Sequence, residues 1–188
     1  SRAAKEASGP RTYTLSVGDT AIDLSQKNLG PADVTLLTVW IERPEVSAAL
    51  ASLTLSGNKI SGTKIEGGKW VYDADLSGFT SLCQVLGKLN EVNLSNCHLG
   101  PASMPELAKA FSDADAVVTS INCLANKFGD EGLATLLKAI EGTSVRSLCG
   151  LTEGQTTADF SGQNLGPIDC KIMSAEFEFR GFIAALAS

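Results

Sequence analysis

The chain is poor in the residues that carry most enzyme chemistry. Histidine occurs once in 188 residues, at His98, and tryptophan, tyrosine and methionine occur twice each. No Ser/His/Asp or Cys/His arrangement accompanies the single histidine, so nothing is placed to make it a general base. It is expected to be a surface polar residue. Positive charge is also scarce, with Lys+Arg 15 against Asp+Glu 21 and a net charge of −6. No Lys/Arg cluster offsets this balance, which would repel a nucleic acid backbone, so no nucleic acid partner is expected. Five cysteines (Cys83, Cys97, Cys123, Cys149 and Cys170) form no CxxC pair and no zinc spacing. They read as reduced, mostly buried thiols in a cytoplasmic protein, with no metal and no cofactor. No run approaches the roughly 20 apolar residues of a membrane helix, and the first residues lack a signal-peptide core. What the chain does have is apolar content: 44% hydrophobic residues, enough for one soluble globular unit with a core.

Those apolar residues are arranged in an internal repeat. Residues 50–60 (LASLTLSGNKI), 89–99 (LNEVNLSNCHL) and 118–128 (VTSINCLANKF) all obey LxxLxLxxNxL, with Asn58, Cys97 and Asn126 at the Asn/Cys position. A less regular copy near the start ends in AIDLSQKNLG, residues 21–30. Alternating apolar residues such as Leu53 and Leu55, or Val92 and Leu94, predict short strands with one buried face. A buried Asn in the following bend can bond backbone groups that would otherwise be orphaned. The helix is then opened by Gly-Pro or Gly-Asp. Leu-Gly-Pro therefore stands three times at a strand-to-helix corner, at Leu29-Gly30-Pro31, Leu99-Gly100-Pro101 and Leu165-Gly166-Pro167.

The motif LxxLxLxx(N/C)xL, followed by helices such as GDEGLATLLKAI (residues 129–140), resembles leucine-rich repeats of the ribonuclease-inhibitor subclass. Equivalent strand residues Ile22, Leu53, Val92, Ile121 and Leu148 recur at the long spacing of that subclass. The resemblance implies an α/β fold built as a solenoid, or horseshoe, with parallel β-strands on the concave face and helices on the convex face. One array is expected over residues 1–188. A second periodicity overlays GDTAIDLSQKNLGPADVTLLTV, from Gly18, on GQTTADFSGQNLGPIDCKIMSA, from Gly154, a shift of 136 positions. In that register residues 182–188 match 46–52, and the chain ends where another strand would start. It is therefore expected to be cut from, or built as, a longer array whose uncapped end self-associates.

Two segments depart from the pattern. An insertion at residues 63–78 contains KIEGGKWVYD, a hairpin signal around Gly67-Gly68. Its Trp70 and Tyr72 are either packing residues or an aromatic anchor for a partner. Residues 148–162 carry two partial strand patterns close together. Pro44 is expected to end a helix at Arg43 and start another. The stretch from Gly57 to Lys64 imitates a phosphate-binding loop, but Thr63 and Lys64 stand in the reverse of the required order and the repeat explains its other residues. Asp130 and Glu131 suit the first turn of a helix.

The expected function is that of a non-catalytic protein-protein interaction module, not an enzyme. A protein partner would meet the outward strand positions Ser52, Thr54, Ser56, Glu91, Asn93, Ser95, Ser120, Asn122 and Leu124, or the insertion at Trp70 and Tyr72. The alternatives are a GTPase regulator and the sensor or autoinhibitory arm of a larger receptor.

Overall fold

A computed structural model describes residues 9–112 and 115–179, without the side chains of 178 and 179. The alternating segments form three-residue strands: β1 (Ala21–Asp23), β2 (Ser52–Thr54), β3 (Lys64–Glu66), β4 (Lys69–Val71), β5 (Glu91–Asn93) and β6 (Ser120–Asn122). Four of them make a parallel sheet in the order β1-β2-β5-β6, with Ile22, Leu53, Val92 and Ile121 in register across it. β3 and β4 pair antiparallel in a separate sheet. The helices are α1 (Pro31–Ile41), α2 (Pro44–Ser47), α3 (Ser77–Leu86), α4 (Ser103–Phe111), α5 (Gly129–Ile140) and α6 (Pro167–Phe179).

Helix follows helix in space: α1 packs on α3, α3 on α4, α4 on α5 and α5 on α6. Between the sheet and this row lies one continuous core, in which the inward strand residues Leu53, Val92 and Ile121 join Phe79, Leu107, Phe111 and Leu136. Close approach explains one glycine. A Cβ on Gly78 of α3 would lie 2.0 Å from the carbonyl oxygen of Pro31, so a side chain there would push α1 away. Helix α1 ends at Ile41, two residues before the expected stop, and Arg43 turns extended ahead of Pro44.

The expected solenoid is corrected by this architecture: the chain is a small α/β domain with a four-stranded parallel sheet, a separate two-stranded sheet and six helices among the described residues. The strand ladder stops where the sequence period would continue it. Around Leu148 the chain meets β6 only through two isolated bridges, parallel at Ser147 and antiparallel at Cys149. Residues 155–160, the counterpart of β1, form no strand. Gly150 and Gly154, both at positive φ, turn the backbone out of the extended conformation a ladder needs. The expected match of residues 182–188, and the phenylalanine-rich end with it, lie outside the described residues, as does the expected uncapped end. No helix among the described residues is long and apolar enough to cross a membrane.

Candidate functional site

The strand-to-helix corners are held by side chains from the next copy of the repeat. Asn58 accepts the Leu29 N–H through Oδ1 and donates through Nδ2 to the carbonyls of Leu24 and Leu55. Asn126 accepts from Cys97 and Leu99 and donates to Leu94 and Cys123. Cys97, between them, gives its S–H to Leu55. All three are buried, and backbone groups that would otherwise be orphaned are satisfied through them. At the Leu-Gly-Pro corners the residue before Leu adopts a left-handed conformation: Asn28 (φ 57°), His98 (φ 56°) and Asn164 (φ 52°). Lys59 and Lys127, at the equivalent place in the other corners, do not. Leu-Gly-Pro is thus one kind of bend made three times, and His98 is set into it by that bend.

The insertion forms the expected hairpin. Gly67 and Gly68 both have positive φ (55° and 78°), as a two-residue turn of this hand requires. A lone hairpin is marginal, so its position depends on anchors at its base. Asp73 accepts hydrogen bonds from the Gly100 N–H at 2.9 Å, from the Ser103 N–H at 3.0 Å and from the Ser103 hydroxyl, thereby capping α4. Thr63 donates to the His98 carbonyl at 2.9 Å. The false phosphate loop is therefore an internal strut. A Cβ on Gly100 would meet Asp73 and Tyr72, which makes this corner a seat for the hairpin.

The seat brings three rings together. Trp70 stacks on His98 with centroids 5.3 Å apart and on Tyr72 at 6.3 Å, and the Lys59 ammonium lies 5.5 Å from its centroid. His98 is half-buried rather than simply at the surface. Burial first, and then the charges of Lys59 and Lys127, hold its imidazole below the usual histidine range. Among the described residues no carboxylate is hydrogen-bonded or ion-paired to it to orient it as a base.

Beside the rings, a groove of about 460 Å³ gathers six of the predicted positions: Ser56, Trp70, Tyr72, Asn93, Ser95 and Asn122. His98, Gln26, Gly57, Asn96, Ala125, Lys127 and residues 162–164 complete its walls, and the repeat pattern by itself does not join these to it. A signal for His98 was present, because it precedes Leu-Gly-Pro as Asn28 and Asn164 do. Ser52, Thr54 and Glu91 lie further along the strands in a shallower hollow of about 140 Å³. Two positions need correction. Leu124 is fully buried and Ser120 is 4% exposed, so neither presents a side chain to a partner. After β6 the chain turns inward at Leu124, where its N–H is taken by Asn122, and Leu124 joins the core instead.

The polar groups of the groove have a direction. Asn93 Oδ1 accepts from the Ser95 N–H and hydroxyl, and Asn122 Oδ1 accepts from the Leu124 N–H. The local turn takes both lone pairs of Asn93 Oδ1 and one of Asn122 Oδ1, and their NH₂ groups remain as donors. Asp23 and Asp159 make the same turn with Ser25 and Ser161 at the flanks. They leave a carboxylate oxygen instead.

The four buried thiols offer little reactivity. Burial pushes Cys97 and Cys123 up to about 12, with Cys97 and Glu176 adding to the effect at Cys123. Burial raises Cys83 and Cys149 as well. Among the described residues no group of three or more His, Cys, Asp and Glu is placed to hold a metal ion. No family model and no curated protein matches the chain.

Proposed function

We propose that the chain is a non-catalytic protein-interaction module whose partner binds in the groove between the hairpin rings and the open face of the parallel sheet. The observation that carries this reading is the convergence of Trp70, Tyr72 and His98 with Asn93, Ser95 and Asn122 around one cavity. Large rings beside amide donors provide what a protein interface uses most, an aromatic anchor ringed by hydrogen-bonding groups. Raised pKa values of the buried thiols and a histidine without a carboxylate partner among the described residues support a binding role over a catalytic one. Kinship to leucine-rich repeats of the ribonuclease-inhibitor subclass belongs to the same proposal, supported by the bonding of Asn58, Cys97 and Asn126. A cytoplasmic setting suits the five free cysteines.

The test is quantitative capture from a native extract with the wild-type chain, an Asn93→Arg/Asn122→Arg variant, and a Leu36→Arg control on helix α1. The expected outcome is a defined protein retained by the wild type and the control and lost by the groove variant. Equal retention by all three would show that the groove is not the binding surface.

A further inference from the structure

We infer that the groove recognises an acidic, extended protein segment, whose carboxylates meet Lys59 and Lys127 and whose backbone carbonyls meet the amide groups of Asn93 and Asn122. This inference rests on the protein-binding reading above and adds the chemistry of the partner.

Its first support is the pair of amide donors on the adjacent strands β5 and β6. Four positions make the same local turn, at Asp23, Asn93, Asn122 and Asp159, and each uses Oδ1 to accept an N–H two residues on. At Asp23 and Asp159 the remaining atom is a carboxylate oxygen, and at Asn93 and Asn122 it is an NH₂ group. A ligand rich in acceptors is therefore favoured beside Asn93 and Asn122 and repelled beside Asp23 and Asp159.

The second support is charge. In a chain of net −6, Lys59 and Lys127 are both exposed and both close enough to His98 to disfavour its charged form. Lys127 lines the groove, and Lys59 reaches its rim over the Trp70 ring. Neither is in an ion pair among the described residues. The Trp70 ring, 45% exposed, stands with His98, Tyr72 and Lys59 around it.

The experiment titrates the full chain, with labelled nitrogen, against an alternating Glu-Ser peptide and its Gln-Ser counterpart. The signals followed are the side-chain amides of Asn93 and Asn122 and the Trp70 indole. The Glu-Ser peptide is expected to shift these signals, with affinity falling as salt is added. Combining Lys59→Gln with Lys127→Gln should weaken it about three- to tenfold. Asn93→Asp/Asn122→Asp keeps the turn oxygens but replaces the donors with carboxylates, and should abolish the shift of the Trp70 indole, which this variant retains. Equal binding of Gln-Ser would overturn the acid preference while leaving a protein-binding groove in place. No shift with Glu-Ser, or shifts unchanged by the lysine pair, would overturn it too. Failure of the underlying reading appears separately, as a captured partner that survives Asn93→Arg/Asn122→Arg.

Discussion

Helices α1 and α6 begin in the same way, at Gly-Pro, and their sequences superimpose at the shift of 136 positions. Yet they bury different faces. Helix α1 hides Val34, Leu37, Thr38 and Ile41 and leaves Leu36 71% exposed. Helix α6 hides Asp169, Ile172 and Glu176, so Ile172, the counterpart of Leu36, is 0% exposed. Cys170, the counterpart of buried Val34, is exposed. The difference follows from the neighbour: α1 lies against α3, which comes after it, while α6 lies against α5, which comes before it. The segment pattern thus specifies a helix with two usable faces, and the order of packing selects one.

The largest expected effect compares the two apolar counterparts directly. Ile172→Ala removes a fully buried side chain beside Leu137 and Ile140 and is expected to cost about 2–5 kcal/mol in urea unfolding. Leu36→Ala removes an exposed one and should change stability by less than about 0.5 kcal/mol. Similar losses at both sites would mean that the Leu36 face is covered in solution and would erase the contrast.

A second pair sharpens the point with polar groups. Asp33 and Asp169 each accept the N–H of the glycine three residues earlier, Gly30 at 2.9 Å and Gly166 at 2.7 Å. Asp169 also accepts the Ala125 N–H at 2.6 Å and is 2% exposed, so it ties α6 to the corner after β6. Removing it strands two backbone donors. Asp169→Ala is therefore expected to cost about 2–4 kcal/mol, and Asp33→Ala about 1 kcal/mol, the ordinary loss of a helix cap. Thermal unfolding of both variants measures the gap. Equal shifts would show that the Ala125 bond contributes nothing.

These pairs also mark how far the sequence could be read. The short strands, their inward residues, the buried Asn58, Cys97 and Asn126, and the hairpin at Gly67-Gly68 all followed from local pattern, because alternation and turn chemistry act over a few residues. The continuous array did not follow. Whether the residues near Leu148 and Ala158 join a ladder depends on how Gly150 and Gly154 bend the chain against β6, a tertiary choice. At Asp169 and Glu176 the backbone N–H groups of Ala125, Leu148 and Cys149 are satisfied by carboxylates from a helix, a service that the repeat elsewhere assigns to an Asn. The groove was legible only in part. Asn93 and Asn122 follow from strand phase, but the Trp70–His98 stack joins residues far apart in sequence, and no period links them.

The smallest expected difference tests whether the two segments are alike before their helices begin. Asp23 and Asp159 occupy the same turn, and hydrogen bonds from Ser25 and Ser161 hold both carboxyls below the usual carboxylate range. Asp23 is lowered further by Lys27, while Gln163 stands at the corresponding place after Asp159. A depressed carboxylate binds fewer protons folded than unfolded, so its contribution is complete above the unfolded value and fades as pH falls through the folded one. Both aspartates should therefore titrate below the ordinary range when their carboxyl carbons are followed by NMR. Raising the salt concentration should move Asp23 upward more than Asp159, since only Asp23 has the lysine to screen. If the two moved together, the Lys27 charge would not reach Asp23, and the two turns would be electrostatically the same despite the different helices that follow them.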